Sequence, residues 1–151
     1  MMKLAVEVNA RRGNLIANII RICTRAKAFH VEPVFSDGTA FVATPSFVGL
    51  TSRTNDYDGY HWVLIDCPWM TDAEERKQRT WAEGINIYNL KYDYLGAISG
   101  FFGVHKEDSE KWYCGEICAK VFGDVIPELK KLKWCTPDKI WKIIAERTHK
   151  K

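Results

Sequence analysis

Two segments of this chain carry residues able to do covalent chemistry. One is Lys111-Trp112-Tyr113-Cys114-Gly115-Glu116, which runs into an apolar helical pattern of Ile117, Cys118, Val121 and Phe122. The other is Phe29-His30-Val31-Glu32-Pro33-Val34-Phe35-Ser36-Asp37-Gly38, in which His30 and Glu32 share one face of a strand. A cysteine attacks carbonyl groups as its thiolate, and a free pKa of about 8.5 leaves it mostly protonated at neutral pH. A helix N-terminus, with its unpaired N–H groups and partial positive charge, favours the anion. A neighbouring imidazole can take the proton and form an ion pair. Cys114, opening a helix from Cys114 to Phe122, is placed for the first device, and His30 is the candidate base for the second. The same helix start offers a backbone N–H to a developing oxyanion, and losing such a donor typically costs ~3 kcal/mol.

Glu32 is the candidate third member, a carboxylate that fixes the tautomer of His30 and stabilises its imidazolium. Residues two apart on a strand are separated by ~6.6 Å, so contact with the ring is not guaranteed. The following strand offers Thr44 as the alternative polar partner. His105 is the rival base, with His61 in a strand of mixed character and His149 in the tail.

The remaining composition narrows the class. At 151 residues, with 46% hydrophobic residues and no low-complexity tract, the chain reads as one globular domain spanning 1–151. A formal net charge of +3, from 22 basic and 19 acidic side chains, gives no ground to expect nucleic acid. The lysines and arginine from Lys130 to Lys151 are interleaved with helical core positions and read as a solvated face. No apolar run reaches the ~20 residues that span a bilayer. Glu7 follows the first apolar residues, so the N-terminus reads as a strand rather than a signal peptide, and the expected starting compartment is a cytoplasm. Five cysteines without a Cys-x-x-Cys pair read as free thiols. Neither a cofactor nor a metal is expected: Cys114 and Cys118 lack a partner pair at zinc spacing.

Along the chain, Arg11-Arg12-Gly13-Asn14 is a turn with Asn14 as N-cap. Leu15, Ile16, Ile19, Ile20 and Cys23 follow at helical spacing up to Arg25–Ala28. The run from Phe29 to Phe35 alternates, Ser36-Asp37-Gly38 signals a hairpin, and Thr39 to Thr44 returns. Pro33 predicts an edge position or a bulge. Ser46 to Gly59 reads as a loop, and Tyr60 to Asp66 as a strand. Thr71-Asp72-Ala73-Glu74 has the spacing of a capping box, opening a helix that stops at Gly84. A helix capped by Asp93 is expected over Tyr92 to Ile98, another from Cys114 to Phe122 with Gly123 as its stop, and a last one from Thr136-Pro137-Asp138. One strand, a helix, three strands and four helices make an α+β domain with an antiparallel sheet.

Several of these segments, in this order, resemble the circularly permuted NlpC/P60-type, papain-like cysteine hydrolases, including small bacteriophage members. They are Arg12-Gly13-Asn14-Leu15-Ile16, Arg21, Thr24-Arg25, His30-Val31-Glu32, Phe35-Ser36-Asp37-Gly38, Tyr92-Asp93-Tyr94-Leu95-Gly96 and Trp112-Tyr113-Cys114-Gly115-Glu116. The resemblance implies a small antiparallel sheet packed against helices, Cys114 as nucleophile, His30 as base, Glu32 as polar member and Tyr92 as a support near the site. It matches Glu116 to a glutamate two residues after the cysteine, with helix-start electrostatics as its role. Gly115 departs from the common serine and could admit a bulky acyl group, and Pro33 stands where an apolar residue is usual. The implied activity is an amidase or peptidase acting through a thioester, peptidoglycan stem peptides being the substrate class. If the chain is phage-encoded, a virion or release at lysis is its route out of the host cytoplasm. Two alternatives stand beside it. One is acyl chemistry on lipids or esters, with Ile98 to Val104 (including Phe101 and Phe102) lining an acyl pocket. The other is a catalytically silent binding protein using the tryptophans and the basic C-terminal helix.

Overall fold

A computed structural model describes residues 1–8, 26–53, 56–86, 90–93 and 111–149. The helix expected from Asn14 to Arg25–Ala28 falls almost wholly outside them, as do Cys23, His105 and the Ile98 to Val104 segment. Within them the chain is an α+β fold. The strands are β1 (Lys3–Glu7), β2 (His30–Val34), β3 (Thr39–Thr44), β4 (Phe47–Ser52) and β5 (Trp62–Asp66), followed by the short β6 (Lys91–Tyr92) and β7 (Lys111–Trp112). The helices are α1 (Asp72–Asn86), α2 (Cys114–Phe122), α3 (Pro127–Lys130) and α4 (Pro137–His149). The first five strands form one sheet in the order β4-β3-β2-β1-β5, with every neighbouring pair antiparallel.

Several boundaries follow the local chemistry. At the β2–β3 hairpin Gly38 has φ 82°, the left-handed value that glycine adopts without a Cβ penalty. There Asp37 Oδ1 accepts from the Thr39 N–H (2.9 Å) and hydroxyl (2.7 Å). The capping box at α1 is formed: the Thr71 N–H donates to Glu74 Oε2 (2.9 Å) and the Glu74 N–H to Thr71 Oγ1 (3.3 Å). Gly123 closes α2 with ordinary right-handed φ, and its role is space: a Cβ there would land on the Ala119 carbonyl.

Four expectations are corrected. The stretch read as a loop from Ser46 contains β4, which pairs with β3 from Thr44↔Phe47 to Thr39↔Ser52. Its small and polar residues Gly49, Thr51 and Ser52 hide the strand in the sequence, and the ladder to β3 supplies what side-chain burial does not. Pro33 sits in the central strand, not at an edge. It is opposite Leu4 of β1, while the register of β2 with β3 is confined to Val34↔Ala40, so the missing N–H breaks no ladder there. The first described helix passes Gly84 and ends at Asn86, since a Cβ at Gly84 meets nothing within 4 Å and no tight turn is built on it. Tyr92 lies in a strand, paired in parallel with Trp112, rather than at a helix start; residues 94–98 of the expected helix lie outside the described residues.

The main core lies between the sheet and the helices, where Leu4, Val31 and Phe41 meet Ile117, Phe122 and Ile140. Fully burying side chains of this size contributes ~2–3 kcal/mol each. A smaller cluster, Ala5, Val34, Ala40, Val42 and Trp62, is packed against Tyr57 from the segment joining β4 to β5. By strand alternation this is the face that also carries His30 and Glu32. Among the described residues no helix is long and apolar enough to cross a membrane.

Candidate active site

Cys114 is the first residue of α2, after the N-cap Tyr113, whose backbone is extended (φ −120°, ψ 166°). The N–H groups of a helix's first turn have no partner within the helix, so the Cys114 N–H points out of the helix start. Glu116 reaches back to the Tyr113 N–H (3.4 Å), half of a capping box, which puts a carboxylate where the helix end is positive. Gly115 is dictated by crowding: a Cβ on it would coincide with the Cys135 carbonyl oxygen and lie 2.7 Å from the carbonyl carbon. The space left by the missing serine is therefore filled by the protein's own backbone, not open to an acyl group. The Cys135 N–H also donates to the Tyr113 hydroxyl (3.3 Å), so residues on both sides of Cys114 are held by the segment that leads into α4.

His30 stands at the start of β2, on a stretch laddered to β1 (Glu7↔His30) while the register with β3 is limited to the hairpin end. α2 packs on β2 and β3, and the fold brings the Cys114 side chain close enough to the His30 ring for the two to be coupled electrostatically. His30 Nε2 lies 3.0 Å from Glu32 Oε1. The edge of the Trp62 ring packs beside the imidazole, centroids 6.1 Å apart. His30 retains 13% side-chain exposure and Glu32 none.

Glu32 is saturated with donors. Besides His30, Arg53 Nη2 donates to Oε1 (3.1 Å) and the Tyr57 hydroxyl to Oε2 (2.8 Å). Arg53 is itself held by Asp56, Nη1 to Oδ2 at 2.9 Å, and its buried Nε has no partner. The Tyr57 ring packs edge-on against Trp62, centroids 5.2 Å apart. Neither Arg53 nor Tyr57 was expected. They lie in or beside a polar segment without periodicity, and only its passage across the sheet brings them to Glu32.

The electrostatics follow from this packing. Burial pulls the His30 imidazolium toward neutrality, but charge on and a hydrogen bond to Cys114, with the hydrogen bond and charge of Glu32, outweigh it and raise the pKa to about 10. Burial pushes Glu32 upward. The His30 hydrogen bond and charge, the Arg53 charge and the Tyr57 hydroxyl outweigh that and hold it below the usual carboxylate value. Burial pushes three buried thiols upward: Cys67 to about 12, Cys135 to about 11 and Cys118 well above its ordinary value. All four described cysteines are buried and free.

The other candidate residues are placed elsewhere. The Thr44 hydroxyl donates to the Phe47 carbonyl (3.1 Å) in the β3–β4 turn, with Ser46 Oγ at 3.3 Å. The proximity of Glu32 to the ring leaves it no part in fixing the imidazole. Tyr92 is partly buried against the main core, its backbone paired with Trp112 two residues before Cys114. His61 Nδ1 is tied to Asp58 (2.8 Å to Oδ2), and His149 ends α4. Among the described residues no group of three or more His, Cys, Asp or Glu side chains is placed to hold a metal ion. No protein-family model, curated protein or solved structure matches the chain.

Proposed function

We propose that the chain is a thiol-dependent hydrolase of the amidase or peptidase class, built on a permuted papain-like (NlpC/P60-type) scaffold. The observation that carries this reading is the imidazole of His30, hydrogen-bonded to a fully buried, charge-compensated carboxylate and electrostatically coupled to a cysteine at a helix start. The Cys114 sulfur reacts as its thiolate, with the His30 imidazolium as its counter-charge. The sulfur attacks the substrate carbonyl, the Cys114 N–H donates to the oxygen that becomes negative, and His30 gives its proton to the leaving amine as the C–N bond breaks. Water then attacks the thioester while His30 takes its proton, the C–S bond breaks, and thiolate and imidazolium are restored. Glu32 stays ionised throughout and holds the ring by Nε2.

The test is acylation by a short-chain p-nitrophenyl ester, followed by intact and peptide-resolved mass spectrometry. One acyl adduct is expected, on the peptide containing Cys114. It should be absent in Cys114→Ala and formed ~10²–10⁴-fold more slowly in His30→Gln. An adduct on another residue, or one that persists in Cys114→Ala, overturns the proposal.

A further inference from the structure

The segment beside the helix start carries an unusual charge arrangement. Lys133 Nζ lies 4.9 Å and Lys139 Nζ 5.3 Å from the centre of the Trp134 ring. Both lysines are exposed, and among the described residues neither has a carboxylate within ion-pair distance. Three lysines elsewhere are neutralised, Lys77 and Lys130 by Asp124 and Lys3 by Asp66, while Lys120 lies singly over the Trp81 ring. Two ammonium groups on one indole gain cation–π attraction but repel each other, and a bound anion relieves that repulsion.

This pair sits beside the nucleophile. Trp134 precedes Cys135, whose carbonyl fills the Cβ position of Gly115 and whose N–H reaches Tyr113, the two neighbours of Cys114. Glu116, Lys139 and Cys114, in that order, act electrostatically on the Cys135 thiol, which puts them in one neighbourhood. The opposing charges nearby are Glu116, which reaches back to the Tyr113 N–H, and Asp138, whose Oδ1 accepts from the backbone N–H groups of Lys27 (3.1 Å) and Ala28 (2.8 Å).

We infer that Lys133, Lys139 and Trp134 form an anion-recognising rim beside Cys114, and that the acyl substrate carries a negatively charged group close to the bond attacked. This rests on Cys114 being the nucleophile. The rim steers the anionic end of the substrate, leaving the acyl carbon over the sulfur.

Two alkylating probes of similar size and different charge test it: iodoacetate and iodoacetamide, with the rate at Cys114 followed by peptide mapping. The iodoacetate-to-iodoacetamide rate ratio should fall about ten-fold at low salt in Lys133→Gln/Lys139→Gln. In the wild type that ratio should decline as salt is added. Protection against iodoacetate at lower concentrations of inorganic phosphate than of acetate assigns a phosphate-bearing substrate, and the reverse a carboxylate. A ratio unchanged in the double variant, with iodoacetamide still selecting Cys114, overturns the rim and leaves the hydrolase reading intact. Loss of iodoacetamide selectivity for Cys114 in the wild type removes both.

Discussion

Glu32 Oε1 lies 3.0 Å from His30 Nε2 although the two residues are separated by only Val31 on one strand, and the carboxylate is fully buried. Strand geometry alone leaves such neighbours too far apart for a hydrogen bond between side-chain roots. Here both side chains lean toward each other, and Arg53 and Tyr57 hold the carboxylate from its other sides. Replacing Glu32 by Gln keeps the shape but removes the charge that Arg53 and the His30 imidazolium face. Breaking a buried pair in this way costs ~3–5 kcal/mol. Urea denaturation of Glu32→Gln should show a loss of that size, with slower acylation of Cys114; unchanged stability and rate would contradict the role given to Glu32.

Tyr57→Phe separates support from chemistry. It removes one hydrogen bond to a buried carboxylate, for which ~1.5–3 kcal/mol is expected, and touches neither Cys114 nor the His30 ring. Glu32 loses one of the donors that hold its pKa down. The acidic limb of the acylation pH profile should therefore move upward in Tyr57→Phe, a shift that a purely structural defect does not produce.

Stability should depend on pH through His30. Its ordinary pKa of 6.5 in the unfolded chain is raised to about 10 in the fold, so folding favours the protonated ring. The stabilisation is fully present below pH 6.5 and is lost as pH rises through 10. Measured by urea denaturation, the stability gap between wild type and His30→Gln should be constant in mild acid and shrink steadily toward pH 10. A gap that widens with pH would reverse the sign of this coupling.

Gly115→Ala tests the close approach of the segment before α4. The added methyl would collide with the Cys135 carbonyl, a backbone atom that cannot rotate away, so at least ~1–3 kcal/mol of destabilisation is expected. Gly84→Ala is the control: its Cβ meets nothing, and replacing glycine within α1 should stabilise by ~0.5–1 kcal/mol. Thermal unfolding of the two variants should therefore move in opposite directions.

Elements fixed by local chemistry were readable in the chain. The Thr71–Glu74 capping box, the β2–β3 hairpin with Gly38, the α2 span from Cys114 to Phe122 and the Pro137 start of α4 all lie where caps, turns and apolar spacing put them. What depends on tertiary pairing was not readable. β4 exists because β3 offers it a ladder, and Pro33 is tolerated in the centre because the register with β3 stops at Val34. Arg53, Tyr57 and Trp62 look like loop and strand-end residues until the chain after β4 crosses the sheet and closes on Glu32. Thr44 shows the converse: its place at the end of β3 suited it to the imidazole, but its hydroxyl is used by the adjoining turn.

The central claim, that Cys114 and Glu32 together hold His30 as an imidazolium, is tested most directly by following the His30 ring nitrogens by NMR across pH. In the wild type the ring should remain protonated through pH 8 and titrate near 10, and in Cys114→Ala the transition should fall back toward 6.5. A wild-type transition already near 6.5, unmoved by Cys114→Ala, would contradict the account.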